Sequence, residues 1–263
     1  MSFLCLVSVF KNESHILEEW IQHYIKQGVD HFFLTDNGST DEYMKILKKY
    51  ISTGIVSLNV NPEKYKQIEH LNFFLGETKK YDWAIVCDLD EFIYARKGFT
   101  SIKEYLNTLT KDVVHVCIPW KLFGSNGHIQ QPHLVIPHFL KRLHHKNLIA
   151  INSKCITRCN YIHRIYQHSN HNIENNGILI TSDGKLHENG RKEFAHISEN
   201  ILKDSCLHLN HYAIQSWEWF KNVKMTRGDV LSPESDHVRD ENYFKGYDHN
   251  GVLDEELKNL NSI

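Results

Sequence analysis

No stretch of this chain approaches the roughly 20 consecutive apolar residues that a bilayer crossing needs. The apolar opening, residues 3–10, is short, has no charged region before it and runs into Lys11, Asn12 and Glu13 without a small-residue cleavage site. It therefore reads as a first strand and not as a signal peptide. The chain is expected to be soluble or cytoplasmic as given, or a domain of a longer, anchored protein. A large charge of one sign is missing too. The 30 Lys and Arg against 32 Asp and Glu leave a net charge of -2, which argues against a protein that works by neutralising nucleic-acid phosphates. The densest basic patch, Lys141, Arg142, His144, His145 and Lys146, reads as a solvated loop or helix end. Structural-zinc spacing is also lacking. The 6 cysteines are dispersed, and Cys155 and Cys159 have no matching second pair, so reduced, buried thiols are expected. Most of the 19 histidines stand singly among polar residues, which leaves one or two for function. Internal repeats and dividing linkers are absent.

What is present is an ordinary globular balance, 41% hydrophobic and 24% charged over 263 residues, with a strand–helix alternation in the first half. After the first strand, Ser14 is a plausible N-cap for a helix carrying Ile16, Leu17, Trp20, Ile21, Tyr24 and Ile25, closed by Gly28. A strand over 31–35 leads into the turn 36–41, placing Asp36 and Asn37 in an exposed turn before a helix that starts near Thr40. A strand over 55–60, a helix over 65–81 and a strand over 83–87 follow. Ser101 and Glu104 form a capping box for a short helix, and a strand over 113–118 is stopped by Pro119. Periodicity weakens from there to about Asn200, as in the variable wall of a site. It returns in a strand over 206–212 and a helix from about Gln215 to Arg227, on which Lys221, Lys224 and Arg227 read as a solvated face. Residues 252–260 look helical. This order calls for an α/β fold, a mainly parallel central sheet with helices on both faces, and ligands at the carboxyl ends of its strands.

The chain is organised around residues 83–94, where a buried strand runs straight into Asp88, Leu89, Asp90 and Glu91. If the backbone stays extended, Asp88 and Asp90 point to one side and Leu89 back into the protein. Two carboxylates converging at a strand end suit a hard cation, Mg²⁺ or Mn²⁺, with substrate phosphate completing the coordination.

These features join others in a fixed order: Lys11, Asn12 and Glu13 with Glu19 and Trp20; Gly28 to His31; Asp36, Asn37, Ser39 and Asp41; Asp88 to Phe92; Trp120, Phe123 and Gly124; His211 and Tyr212 with Ser216 and Phe220. Over about residues 3–228 the chain resembles glycosyltransferase family 92 and its relatives in the GT-A superfamily. It departs from that pattern at Gln215, where a basic residue is usual. The resemblance implies a GT-A catalytic domain over 1–230, with 231–263 as a tail packed on it or trailing from it. It implies transfer of a sugar from a nucleotide-diphosphate sugar, most often a UDP-sugar, to a hydroxyl of a glycan or glycoconjugate, with Mn²⁺ or Mg²⁺ and with inversion.

By that resemblance Asp88, Asp90 and His211 form the metal site, with His208 a competitor for the histidine's place. Phe10, Lys11, Asn12, Glu13, Asp36, Asn37, Asp88 and Leu89 flank the nucleotide. Trp120, Phe123, Gly124, Lys154 and His168 lie on the acceptor or phosphate side. A carboxylate must deprotonate the acceptor hydroxyl, and Glu91, Asp183 and Glu188 stand as candidates beside the acidic pair. Two other readings of the same residues are a nucleotide- or carbohydrate-binding module without turnover, and a metal-dependent phosphohydrolase.

Overall fold

The structure is a computed structural model, describing residues 3–144, 152–166, 177–187, 199–227 and 239–261. Eleven strands and nine helices are found among those residues: β1 Leu4–Phe10, α1 Ser14–Lys26, β2 His31–Asp36, α2 Tyr43–Ser52, β3 Val56–Val60, α3 Gln67–Asn72, α4 Leu75–Thr78, β4 Trp83–Val86, β5 Glu91–Ala95, α5 Ile102–Asn107, β6 Val113–Leu122, β7 Lys141–Arg142, β8 Ser153–Arg158, β9 Ile178–Thr181, α6 Glu199–Asp204, β10 Leu207–His211, α7 Trp217–Asn222, α8 Glu241–Tyr247, β11 Val252–Leu253 and α9 Glu256–Asn261. The large sheet runs β3-β2-β1-β4-β8-β6-β10-β5, with β9 also on β6. Its first four strands are parallel. β8 then enters antiparallel to both β4 and β6, and β5 closes the far edge antiparallel to β10. Apolar side chains cover both faces: α1, α2 and α5 pack into the larger core, while Leu71 and Phe74 cover the face that carries Cys5, Val7, Ala84 and Val86. None of the described helices is long and apolar enough to cross a membrane.

Four local expectations are corrected. Glu13, not Ser14, holds the N-cap position of α1 and makes no side-chain cap; the Ser14 amide instead donates to Asp41 Oδ2 at 2.8 Å. The helix expected over 65–81 is two short ones, α3 and α4, separated at Phe73 and Phe74. The helix expected over 252–260 begins only at Glu256, because Val252 and Leu253 pair with β7. β6 runs through Pro119 to Leu122. The Trp120 amide donates to Asn152 O on the β8 side at 3.0 Å, so alternation turns the Pro119 nitrogen to the other edge. There it falls between β9, last in register at Cys117, and β10, first in register at Trp120, and no ladder bond is lost.

Where local chemistry is strong it holds. Gly28 closes α1 with φ +89°, and a Cβ there would lie 2.5 Å from Lys103 Cβ. Ser101 caps α5 by accepting the Glu104 amide, while Glu104 Oε2 accepts from Thr100 and not from Ser101. The described part of the C-terminal segment packs on the sheet. Asp254 reaches Lys121 Nζ at 3.0 Å and Arg142 Nε at 2.6 Å, and Glu256 reaches Arg96 Nε at 2.7 Å.

Candidate active site

The acidic stretch leaves β4 after Val86 as a tight turn, not as an extended strand end: the Glu91 amide donates to Asp88 O at 3.1 Å. Asp88 and Asp90 nonetheless both line one cleft of about 230 Å³, and Leu89 is wholly buried as expected. Helix α1 fixes the turn from beneath. Trp20 Nε1 donates to Asp88 O and Glu91 O, each at 3.1 Å, and the Tyr24 hydroxyl donates to Glu91 O at 3.1 Å while accepting the Ile93 amide at 2.9 Å. Glu91 closes the turn through its own side chain, Oε2 accepting the Asp88 amide at 2.9 Å.

Two lysines neutralise the turn from opposite sides. Lys154 of β8, wholly enclosed, donates to Asp88 Oδ2 at 3.0 Å and lies 3.3 Å from Glu91 Oε2. Lys224, in a single 3₁₀ turn after α7, donates to Asp90 Oδ2 at 2.6 Å. Burial pushes the Asp90 pKa up, but the Lys224 ammonium, with His211 behind it, more than reverses this and holds the carboxyl well below the usual carboxylate range. Glu91 has less compensation: burial raises it to about 7, with Lys154 opposing and Asp88 adding to the rise. Burial raises Glu13 also, against the pull of Arg227, whose Nη1 lies 3.3 Å from Glu13 Oε1.

His211, at the end of β10, faces the same cleft; its Nε2 stands 3.4 Å from Asp90 Oδ1, and its ring packs on Trp120 with centroids 4.2 Å apart. Asp90 Oδ1 and His211 Nδ1 are buried without a hydrogen-bond partner. The donor set fits a divalent cation: neighbouring ligands of a small octahedral ion have donor atoms about 3 Å apart, and a carboxylate with an imidazole suits Mn²⁺. His208, three residues earlier, faces elsewhere. It bonds Leu202 O at 2.7 Å and Glu256 Oε2 at 2.9 Å, and burial lowers it to about 4, so it is a satisfied structural histidine.

The remaining expected residues divide. Glu13 and Trp120 line the cleft, together with Val9, Gln67, Asn152, Ala213, Arg239, Tyr243 and Tyr247, which the sequence did not single out. Phe10 is core, its ring 5.2 Å from Tyr43. Asn12, at φ +53°, ties the first strand end to the second: its Oδ1 accepts the Thr40 amide at 2.7 Å, while Lys11 beside it is partly buried. Asp36 is not in an exposed turn. It is buried, accepting the Ser39 amide at 2.8 Å and the Tyr43 hydroxyl, which burial and this bond push up to about 12. The Asn37 amide donates to Phe10 O at 2.9 Å.

Phe123 and Gly124 do not form a cleft wall. Phe123 is core against Tyr212, and a Cβ on Gly124 would lie 2.5 Å from Asn250 Oδ1, so that glycine admits the C-terminal segment. Lys154, expected on the acceptor or phosphate side, lies under the acidic turn against Asp88 and Glu91. Asp183, bonded to Thr181 and Lys185 in the turn after β9, is not among the cleft residues, and Glu91 is sealed beneath them. Glu188 and His168, like His145 and Lys146, lie outside the described residues.

Lys224 and Arg227 correct the expectation of a solvated helix face. After α7 the backbone turns them inward, and only Lys221 stays exposed. Gln215, where a basic residue was usual, is buried and binds His15 Nε2 at 2.9 Å. A larger hollow of about 570 Å³ lies along the outer side of α1, between His15, Glu19, His133 and Lys258, and is lined by none of Asp88, Asp90, His211 and Lys224.

Comparison with known proteins agrees with the motifs. The family model described as glycosyltransferase family 92 matches residues 2–243. A family 92 protein of Ricinus communis is 22% identical over 228 residues, covering 83% of this chain and 36% of the relative. Another, of Arabidopsis thaliana, is 26% identical over 226 residues, again with 83% and 36% covered. The chain thus spans about a third of the length of these curated relatives. Among solved structures, GalNAc-T7 with UDP, GalNAc and Mn²⁺ aligns at a TM-score of 0.46 and 14% identity, covering 83% of this chain and 45% of that one. S. aureus TarS 1-349 in complex with UDP aligns at 0.40 and 16% identity, covering 62% and 48%. The α/β architecture with its large mixed sheet is the GT-A fold expected from the motifs, and the chain belongs to glycosyltransferase family 92.

Proposed function

We propose that the cleft transfers a sugar from a nucleotide-diphosphate sugar, a UDP-sugar in the first instance, to a hydroxyl of a glycan or glycoconjugate, with inversion and with a divalent cation. The observation that carries this reading is the meeting of Asp90, from the turn after β4, with His211, from the end of β10: Asp90 Oδ1 lies 3.4 Å from His211 Nε2 and is buried without a hydrogen-bond partner. Such an atom costs about 1–3 kcal/mol when nothing pairs it, a cost that ligation would remove. Asp90 and His211 would hold Mn²⁺ or Mg²⁺, and Asp88, the more exposed carboxylate, would bind it through water or take a ribose hydroxyl. When bound, the cation supplies Lewis-acid charge to the leaving diphosphate.

The chain's own cations serve the same end. Lys224 and Arg227, with Arg239 across the cleft, concentrate positive charge where the diphosphate oxygens gain negative charge. Asp36 and Asn37, beside the end of β1, would accept from and donate to the nucleotide base. Trp120 offers an aromatic face for a sugar ring, and Lys154 with Glu91 keeps Asp88 in place. Glu91 acts through the turn and is a positioning residue.

One observation favours a second reading. Lys224 Nζ lies 2.6 Å from Asp90 Oδ2, so this ammonium could itself supply the charge for a cation-independent transfer. A donor screen separates the two: nucleotide sugars are incubated with and without glycan acceptors, in Mn²⁺ or in chelator, and nucleotide diphosphate release is measured. Acceptor-dependent release that chelator abolishes supports the first reading. Release that survives chelator but is lost in Lys224→Met supports the second. UDP binding without release, or phosphate release from simple esters, overturns both. The anomeric configuration of the product, read by NMR, tests inversion.

A further inference from the structure

A second constellation lies on strands β6 and β8, distinct from the cleft. Cys117 and Cys155 face each other in antiparallel register, and His115 and Thr157 form the next pair on the same face. Because the Trp120 amide bonds Asn152 O, alternation makes Cys117 and Cys155 a non-hydrogen-bonded pair, the kind whose side chains approach most closely. Their sulfurs are 3.7 Å apart, and one ligand atom from each of His115, Cys117 and Cys155 lies within 4.8 Å of the others. All three residues are buried.

We propose that His115, Cys117 and Cys155 form a buried site for a thiophilic d¹⁰ cation, Zn²⁺. Five points support it. Two thiolates on one tetrahedral Zn²⁺, each at about 2.3 Å, sit about 3.8 Å apart, close to the separation found. The two sulfurs belong to adjacent strands, so the ligands are already in place and little ordering is needed. Charge selects the ion: Zn²⁺ with two thiolates and a neutral imidazole is neutral overall, whereas Cu⁺ would leave a net negative charge in the interior. Ser153 Oγ, 3.1 Å from Cys117 Sγ, stands near enough to provide or orient an oxygen ligand. His115 Nδ1 is held by Thr157 Oγ1 at 2.8 Å, the kind of outer hydrogen bond that orients a metal-bound imidazole.

Binding of Zn²⁺ releases the two thiol protons to solvent, so uptake is proton-linked. The ion would clamp β6 to β8 beside Lys154, whose side chain points to the other face and holds Asp88.

Co²⁺ replaces Zn²⁺ as a visible probe, in the full chain kept reduced with a phosphine. The expected result is a sulfur-to-cobalt charge-transfer band in the near ultraviolet with the visible bands of tetrahedral Co²⁺, displaced by stoichiometric Zn²⁺. Cys117→Ser and Cys155→Ser should each remove roughly half the charge-transfer intensity, since each deletes one of two sulfurs. Asp90→Asn should keep the full band, which separates this site from the cleft. The proposal is overturned if reduced wild-type protein shows no such band, if the band survives in the double serine variant, or if Cu⁺ is taken up where Co²⁺ and Zn²⁺ are not. The wild-type titration decides even if a variant fails to fold.

Discussion

The two halves of the sheet bury their interiors with different materials. From β3 to β4 the strands are parallel and apolar: Leu4, Leu6, Phe32, Leu34, Trp83 and Ile85 are wholly buried, and Asp36 is an acid enclosed at a strand end. From β8 to β5 the strands are mixed in direction and threaded with charge. Lys121, Lys154, Glu91 and His211 on these strands, with Asp90 in the adjoining turn, are all buried, and each lies against a partner distant in sequence. Apolar burial is non-directional and tolerates small errors, whereas a buried charge depends on a particular partner and costs several kcal/mol when stranded. The first half is therefore an apolar frame, at whose strand ends the proposed nucleotide would lie. The second is a fixed charge pattern, and the proposed chemistry needs such a pattern.

The largest test of that contrast is at the junction of the halves. Asp90→Asn, His211→Ala and Lys224→Met should each lower acceptor-dependent turnover on the order of 10²–10³-fold while the fold persists. Combining Asp90→Asn with His211→Ala should cost little more than either alone, because residues that hold one group act as a unit. Steady-state kinetics on the three singles and the double decide it. Effects of Asp90 and His211 that simply multiply would separate their roles.

The same contrast explains what the sequence revealed. The alternation up to residue 118, the acidic stretch after β4 and the strand ending in His211 were legible because each is written in local periodicity or composition, although the backbone shape of the acidic stretch was not. Lys224 and Arg227 were not. On a helical wheel they extend the exposed row of Lys221, and only the change from α7 to a 3₁₀ turn, driven by packing, carries them inward. Phe123 and Gly124 looked like a binding wall because the segment they admit, residues 248–250, is far away in sequence. The turn at 88–91 hid for another reason: its geometry is imposed by Trp20 and Tyr24 from another element. Lys154 and Glu91 were seen singly but not as a pair with Asp88.

Next in size is the ion network that holds the C-terminal segment. Lys121, with no exposed surface, donates to Tyr94 Oη at 2.7 Å and to Asp254 Oδ2 at 3.0 Å. Lys121→Ala should cost about 3 kcal/mol, measured by denaturant unfolding, because it leaves buried acceptors behind. The acid response has a defined sign. Burial opposes ionisation of Asp254, yet Lys121 and Arg142 lower its pKa to about 2. A depressed carboxyl contributes stability that is full above its ordinary value near 4 and is lost as pH falls toward 2. His15, His23 and His208, lowered to about 4 by burial, begin the loss earlier, between about 6.5 and 4, since the unfolded chain takes up the proton first. Each histidine contributes a slope of about 1.4 kcal/mol per pH unit there. A stability profile flat between pH 6.5 and 4 would contradict their burial as neutral rings.

A smaller effect is expected in the apolar half. Asp36→Ala removes the acceptor for the Ser39 amide and the Tyr43 hydroxyl, so stability should fall by about 1–2 kcal/mol. If the residue also meets the nucleotide base, UDP affinity of the folded fraction should drop about tenfold by calorimetry. Lost stability with unchanged affinity would assign Asp36 to the turn alone.

The smallest effect is also the sharpest control on the charged half. Lys221 and Lys224 are three residues apart, one on α7 and the other in the 3₁₀ turn that follows it, carry the same charge, and read identically in the sequence. Lys221 is exposed and makes none of the ion pairs found among the described residues, whereas Lys224 is buried against Asp90 with its ammonium 5.3 Å from the Trp219 ring centroid. If burial and partner, rather than basic charge near the cleft, give the residue its effect, Lys221→Ala should change stability by no more than about 0.5 kcal/mol. It should also leave turnover and its Mn²⁺ dependence unaltered. Salt makes the distinction finer, because an exposed lysine acts through a field that is screened within about 10 Å at 0.1 M ionic strength, while the enclosed Lys224–Asp90 pair is not. Any loss of activity in Lys221→Ala at low ionic strength should therefore vanish as salt is raised, and the loss in Lys224→Met should persist. If both losses vanished together, Lys224 would be acting as a surface charge, and the fixed pattern inferred for this half of the sheet would not be what drives turnover.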